Sequence, residues 1–564
     1  MTSTGTISSG KPPGAQEAYN TALLLREGGQ QEQARLLLED SLAREPGHFE
    51  SLRLLGLVYA DLDLLQQAVE WIARAIELSP HSAQAHLDLG TVMCRLGQLS
   101  AGLECFDQAV RLDPAAAEPL FLRGNTWFEL KQWQQAATNF AAAVMLQPGF
   151  VQAHNNLGLA WCHLGEFGSA LETFAVAIAL EPDRAELYSN QGVAYYGLSD
   201  YEQAVACYKQ AITLAPGDAV AHSNLGNALV RQLRLPAALL SYSQAVALAP
   251  DHADAQWNRS LALLQTGDFR QGWALHEWRW KRPAFKAVNR SFSQPLWLGH
   301  TDLAGRTLLL HSEQGLGDTI QFCRFAALAA ARGARVLLEV EPALAALLAN
   351  LEGVAQVVVK GAELPAFDCH CPLLSLPLAF KTELDSVPYA NRYLTGDPAK
   401  LKFWEDKLGK KIKPRVGLVW SGDIAHRDDR SRSIQLAELL AYLPDCFAYL
   451  SLQKEVRETD RAALESRPDI LHFGSQLTDF CDTAALCELM DVVISVDTSV
   501  AHLSGALGRP TKLLLPFCPD WRWLLLRGDS PWYNSFQLYR QLFDGQWGTA
   551  IRPLVRRLRS EFVC

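Results

Sequence analysis

The chain has 564 residues, 49% of them hydrophobic and 20% charged, and a formal net charge of −10. That length exceeds what one core can organise, and the composition is that of a folded chain and not a disordered one. The acidic balance argues against a nucleic-acid partner, which needs a basic face for phosphates, and the lack of any apolar run of about 18 residues predicts no membrane span.

The first residues, Met1 to Gly14, are rich in Ser, Thr, Gly and Pro and have no apolar stretch, so a flexible leader is expected there and not a signal peptide. Cys94, Cys105, Cys162 and Cys207 fall within helical patterns, which suits reduced thiols and a cytoplasmic location. Next comes a strict period. Pro46, Pro80, Pro114, Pro148, Pro182, Pro216 and Pro250 stand 34 residues apart without a slip. Gly56, Gly90, Gly124, Gly158, Gly192 and Gly226 keep the same step, as do small residues at Ala68, Gly102, Ala136, Ala170, Ala204 and Ala238. A further column runs through Ala75, Ala109, Ala143, Ala177, Ala211 and Ala245. Small residues let two antiparallel helices approach closely, and the proline ends the second. Each unit buries the apolar face its neighbour leaves open, so the period predicts an all-α superhelix over 15–286 with seven to eight repeats. One column, Asn156, Asn190, Asn224 and Asn258, lies two residues before the recurring small position on the predicted inner face. A carboxamide offers a donor and an acceptor at once, which suits an extended peptide backbone.

From about Arg306 the pattern changes to short apolar runs alternating with amphipathic segments. Arg306–His311, Arg335–Val340, Gln356–Val359, Arg415–Trp420, Ala448–Leu452, Asp491–Val496 and Thr511–Leu515 read as buried parallel strands. Helices are predicted at Thr319–Ala331, Pro342–Leu351, Leu436–Ala441 and Ala484–Met490. This is an α/β pattern of two Rossmann-like lobes, 287–397 and 415–564, joined by a lysine-rich linker at 398–414 and closed by a C-terminal helix. Ligands then belong at the carboxyl ends of the strands.

Three loops lie there. The first is His311-Ser312-Glu313-Gln314-Gly315-Leu316-Gly317-Asp318, whose glycines permit a tight turn into a helix. The second is Ser421-Gly422-Asp423, with His426, Asp428, Asp429, Arg430 and Arg432 following; its acidic and histidine positions are expected to be solvated. The third is Asp497-Thr498-Ser499-Val500-Ala501-His502, again opening a helix. Exposed N–H groups at Thr498–Ala501 and the helix dipole suit a diphosphate, and Arg432 can add a bidentate contact. Gln453 and Glu455, past the Ala448–Leu452 strand, are expected to face a nucleotide base or ribose. The stretch Pro516–Trp523 is too aromatic for a solvent loop and is expected to cover the cleft or pack the lobe. Cys369-His370-Cys371 is the one Cys/His cluster, and no second pair nearby completes a zinc site. No Asp-x-Asp pair stands at a strand end and no third glycine follows Gly315 and Gly317, so neither a divalent ion nor a dinucleotide is expected.

The columns of small residues and prolines resemble the tetratricopeptide repeat, and the asparagine column is similar to that in the repeat domain of O-GlcNAc transferase. The Gly317-Asp318 turn and the Asp497-Thr498-x-x-x-His502 segment resemble glycosyltransferase family 9, the heptosyltransferase group of GT-B architecture, over about residues 305–545. The combination looks like a bacterial group of repeat-bearing glycosyltransferase-like proteins. The resemblance implies that Asp318 is the catalytic base on the acceptor-side lobe. It implies that Gly315, Gly317, Asp497, Thr498, Ser499, Ala501 and His502 line a nucleotide-sugar site, with Ser499 where the family has glycine and Arg432 in place of a lysine. The activity implied is inverting, metal-independent transfer from a nucleotide-diphosphate sugar with no further cofactor, the repeats recruiting a protein or glycan acceptor. The alternative is a non-catalytic scaffold whose GT-B domain has degenerated.

Overall fold

A computed structural model describes residues 14–285, 290–388, 391–426 and 428–562. The expected leader therefore lies almost wholly outside the described residues. The contacts gather into two compact units, one ending at Ala221 and the other beginning at His222.

In the first unit, six helix pairs run from Ala15–Glu27 to Tyr201–Leu214. Second helices stop two residues before each proline, as at Arg44, Leu78 and Leu112. The residue between is extended, as at Glu45 (φ −128°, ψ 77°), because the proline ring excludes α geometry from its predecessor. The glycine column has a steric cause. A Cβ on Gly124, Gly158 or Gly192 would lie 2.6 Å from the ring of Phe140, Phe174 or Tyr208 in the partner helix. The alanines at 75, 109, 143, 177 and 211 are fully buried between helices. Each turn between paired helices holds one left-handed residue. Gly29, Gly97 and Gly165 take that place in alternate repeats, and Asp63, Lys131 and Ser199 take it in the others.

The second unit opens with two further pairs, Ala219–Arg231 with Leu235–Leu248 and Ala253–Thr266 with Phe269–His276. It continues into two parallel sheets. The first contains β1 (Thr307–His311), β2 (Arg335–Val340), β3 (Val354–Val359) and β4 (Cys369–Pro372), in the order β3-β2-β1-β4. The second contains β5 (Arg415–Val419), β6 (Ala448–Ser451), β7 (Leu471–His472), β8 (Val492–Val496), β9 (Thr511–Leu515) and β10 (Phe536–Arg540), in the order β10-β9-β8-β5-β6-β7. All seven expected strands form. β4, β7 and β10 are additional to those seven, being too short or too polar to stand out as apolar runs. The expected helix Thr319–Ala331 is broken into Leu316–Phe322, a 3₁₀ turn at Cys323–Phe325, and Ala326–Ala331. The predicted linker is mostly a helix, Pro398–Leu408, started by Asp397, whose side chain accepts from the Ala399 and Lys400 N–H groups.

The last repeat is built into this unit. Leu264, Phe269 and Trp273 share one core with β1, β2 and the Leu316–Phe322 helix. Trp273 stands edge-on to Trp521 and Trp532, with centroids 5.1 and 6.4 Å away. A second core packs the Gly548–Phe562 helix against β5, β6 and β8. Ten cysteines are free thiols, among them the four inside repeat helices, whereas Cys446 is disulfide-bonded. Among the described residues no helix is long and apolar enough to cross a membrane.

Candidate functional site

The strand orders locate the site. In the second sheet the chain leaves β5 for β6 and β7 on one side, then returns to β8 on the other, so the switch point lies between β5 and β8. Loops after such neighbouring strands diverge and leave a crevice at their carboxyl ends. The loops there are Ser421–Gly422 and Asp497–Thr498. In the first sheet the corresponding point lies between β1 and β4, and the loop after β1 carries Gly315 to Asp318.

The structure brings these loops together. A Cβ on Gly317 would sit 2.9 Å from His502 Cδ2 and 3.4 Å from Ser499 Cα, so only glycine lets the two helix starts approach this closely. Asp318 is the third residue of its helix. Its Oδ2 accepts from the Gly315 N–H at 2.9 Å, and its Oδ1 is paired with the Arg522 guanidinium. Thr498 is the N-cap of the Ser499–Ala506 helix, but its hydroxyl lies 3.3 Å from Ser495 Oγ and caps nothing. His502 stacks on Trp523 at 5.5 Å, its Nδ1 2.9 Å from the Tyr533 hydroxyl. The indole N–H of Trp523 donates to Asp497 Oδ2 at 2.8 Å. Arg432 lies against Gly422, and its Nη1 donates to the Asp497 carbonyl at 3.2 Å. Its Nε is buried and without a hydrogen-bond partner.

Burial decides the electrostatics. It pushes the Asp497 carboxyl up to about 6, and the negative charge of Asp520 adds to this while the Trp523 indole opposes it. Burial raises Asp318 as well, against the opposing Arg522 charge and the Gly315 N–H. His502 is held well below its ordinary value by burial, reinforced by Arg522, Arg324 and Arg432, so it is neutral at pH 7.

Other expected residues fall elsewhere. Gln453 is buried, and its carboxamide braces the neighbouring loop, accepting from the Ser421 N–H (3.3 Å) and donating to Ser421 Oγ (3.1 Å) and the Glu455 carbonyl (3.2 Å). Glu455 and Arg430 are exposed. Asp423 and His426 are exposed as expected, but Asp429 is not solvated: it is buried and takes Arg457 on both oxygens at 2.8 and 2.7 Å. Cys369 and Cys371 point to one buried face of β4, while His370 Nδ1 lies 3.2 Å from His311 Nε2. The Pro516–Trp523 stretch both packs and lines the site, since Trp521 and Trp523 are buried and Arg522 reaches Asp318.

Sequence reasoning singled out the Pro516–Trp523 stretch but gave Arg522 and Trp523 no individual role, and it missed Tyr533, whose hydroxyl meets His502. It also missed a buried cluster behind the first loop. The Arg279 guanidinium, fully buried, donates to Glu313 (3.0 Å), Glu277 (2.7 Å) and Ser375 (2.6 Å). Burial pushes Glu313 up to about 7 despite Arg279. The only signals were the unusual Trp278-Arg279-Trp280 and Trp521-Arg522-Trp523 runs.

In the asparagine column, Asn156 donates to Asn125 at 2.8 Å and Asn190 to Asn155 at 2.8 Å, each in the preceding repeat; in the second unit Asn258 donates to Asn227 at 2.9 Å. One amide hydrogen of each is thus spent on joining repeats, which leaves one donor and the carbonyl oxygen.

These features define a tetratricopeptide-repeat array joined to parallel α/β lobes. Tetratricopeptide-repeat models match residues 19–83, 87–149, 128–185 and 223–270, and a second such model matches 185–218. The repeats are therefore tetratricopeptide repeats, a fold that serves protein interaction. Protein FlbA of Caulobacter vibrioides is 26% identical over 329 residues, and the chain spans about half the length of this curated relative, 54% of each being covered. Among solved structures, YrrB, described as a TPR protein with an unusual peptide-binding site, is 21% identical, covering 33% of this chain and 95% of its own at a TM-score of 0.30. TTC0263, a thermophilic TPR protein of Thermus thermophilus, is 26% identical, covering 32% of this chain and 100% of its own at a TM-score of 0.28.

Proposed function

We propose that the second unit is an inverting glycosyltransferase that draws on a nucleotide-diphosphate sugar, and that the repeats present a protein or glycan acceptor. The observation that carries this reading is the meeting of Gly317 with Ser499 and His502, which puts the Asp318 carboxylate and the tip of the Ser499–Ala506 helix in one site. The resemblance of the Gly317-Asp318 and Asp497-Thr498-x-x-x-His502 segments to glycosyltransferase family 9 supports it.

The chemistry follows from charge. As the bond from the anomeric carbon to the diphosphate oxygen breaks, negative charge grows on the leaving group. On this reading the N–H groups at the start of the Ser499–Ala506 helix and the Arg432 guanidinium, which lies beside the Asp497 carbonyl, receive it. The acceptor hydroxyl oxygen forms the new bond to that carbon from the opposite face while Asp318 takes its proton. General-base assistance of this kind contributes about 10²–10⁴-fold in rate. Two contacts support delivery of an acceptor from the last repeats. Gln265 donates to the Pro519 carbonyl at 2.9 Å, and Arg231 lies 3.8 Å from Asp428 in the loop after β5.

A thermal-shift screen of the full chain against nucleoside diphosphates and their sugars tests the proposal. One nucleotide should raise the melting temperature, by about 2.7 kcal/mol of added stability at a hundredfold excess over its Kd, and Arg432→Ala should abolish the shift. A melting temperature unmoved by every nucleotide favours the scaffold reading. That reading rests on its own observation: both oxygens of Asp318 are already engaged.

A further inference from the structure

Arg522 is the most heavily committed side chain at the site. Its three nitrogens point three ways: Nε to Gln321 Oε1 at 2.7 Å, Nη1 to Asp520 Oδ1 at 2.9 Å, and Nη2 to Asp318 Oδ1. Gln321 and Asp318 belong to the helix after β1; Asp520 and Arg522 belong to the loop after β9. The guanidinium stacks over Trp521 at 4.4 Å, and its local geometry is fixed because Asp520 Oδ1 also accepts the Arg522 backbone N–H at 3.0 Å. One side chain thus ties the two lobes together at the carboxylate proposed as base.

We propose that Arg522 is a positioning residue: it latches the two lobes at the site and holds the Asp318 carboxylate in place as an ionised proton acceptor. This deepens the glycosyltransferase reading and rests on it for its catalytic meaning. The physical need is plain. A partly buried carboxylate drifts towards its neutral form, whose protonated oxygen cannot take a proton, and burial does raise Asp318. The groups facing the pair are mostly acidic: Asp520 beside Arg522, Asp497 after β8, and Glu313 in the loop after β1. His426 after β5 faces Asp318 and neutral His502 faces Arg522, so the guanidinium is the main counter-charge. Lysine cannot replace it, because a single ammonium lacks the planar fork that reaches Gln321, Asp318 and Asp520 at once.

The test needs no sugar donor, so its failure is separable from failure of the nucleotide screen. The melting temperature of the full chain is followed from pH 4 to pH 8 with Asp318 and with Asp318→Asn, in the wild-type and the Arg522→Gln backgrounds. A carboxyl whose folded pKa is raised loses its stabilising contribution as pH rises through that value, and the asparagine variant does not. The difference between the two curves therefore inflects at the folded pKa of Asp318. The inflection should move up by about one pH unit or more in the Arg522→Gln background, a tenfold or larger change in proton affinity. Arg522→Lys should give an intermediate position, and it carries the experiment if the glutamine variant does not fold. Inflections that coincide in all backgrounds would overturn the proposal.

Discussion

The two units are held together by opposite means. In the first, order comes from small residues repeated at one spacing, so each helix is fixed by neighbours a turn or a repeat away. In the second, the decisive contacts are buried charges that find partners far along the chain: Arg279 with Ser375, Arg324 with the Trp532 carbonyl, Arg522 with Asp318. Tight apolar packing tolerates change unless volume is altered, whereas a buried charge depends on every one of its partners. The first unit is thus built by repetition, and the second by exceptions.

Four substitutions break or sharpen this contrast. The largest effect belongs to Arg279→Ala, which strands the buried Glu313 without its counter-charge; about 3–5 kcal/mol should be lost, read as a lower melting temperature for the transition of the second unit. Next is Asp497→Asn. Because the Asp497 carboxyl is raised to about 6, its contribution is whole below about pH 4 and lost as pH rises through about 6. The variant should flatten the pH dependence of stability across that window by on the order of 2–3 kcal/mol, checked by melting curves at pH 4 and pH 7. In the first unit, Gly158→Ala forces a methyl against the Phe174 ring and should cost about 1–3 kcal/mol, with Phe174→Leu restoring part of it in the double variant. The smallest effect is a gain. Lys131 holds a left-handed backbone at φ 58°, so Lys131→Gly should add up to about 1 kcal/mol, measured by chemical denaturation.

The same contrast explains what could be read from the sequence. The repeats were legible because every fixed position recurs: the steric demand that makes Gly158 glycine also makes Gly124 and Gly192 glycine. Seven of the ten described strands were legible as apolar runs, and the loops at Gly315–Asp318 and Asp497–His502 could be placed because carboxyl ends of parallel strands gather ligands. The partners of Arg522 and Tyr533 could not be named, since pairing across 204 residues to Asp318, or across 31 to His502, leaves no local pattern. Gln453 misled for a related reason. A polar residue just past a strand looks the same whether it faces a ligand or, as here, ties down the adjoining Ser421 loop. Asp429 misled likewise, because its partner Arg457 lies 28 residues on.

The boundary before His222 has a consequence for how such a chain can vary. Upstream of it the molecule is written in interchangeable words of 34 letters, with the seam between words always at the same place. Excising one whole word, residues 83–116 for instance, keeps every remaining junction in register and leaves the ionic knot around Arg279 and Arg522 untouched. The number of repeats can then change by gain or loss of single units, each removal or insertion leaving the contacts inside the second unit as they are.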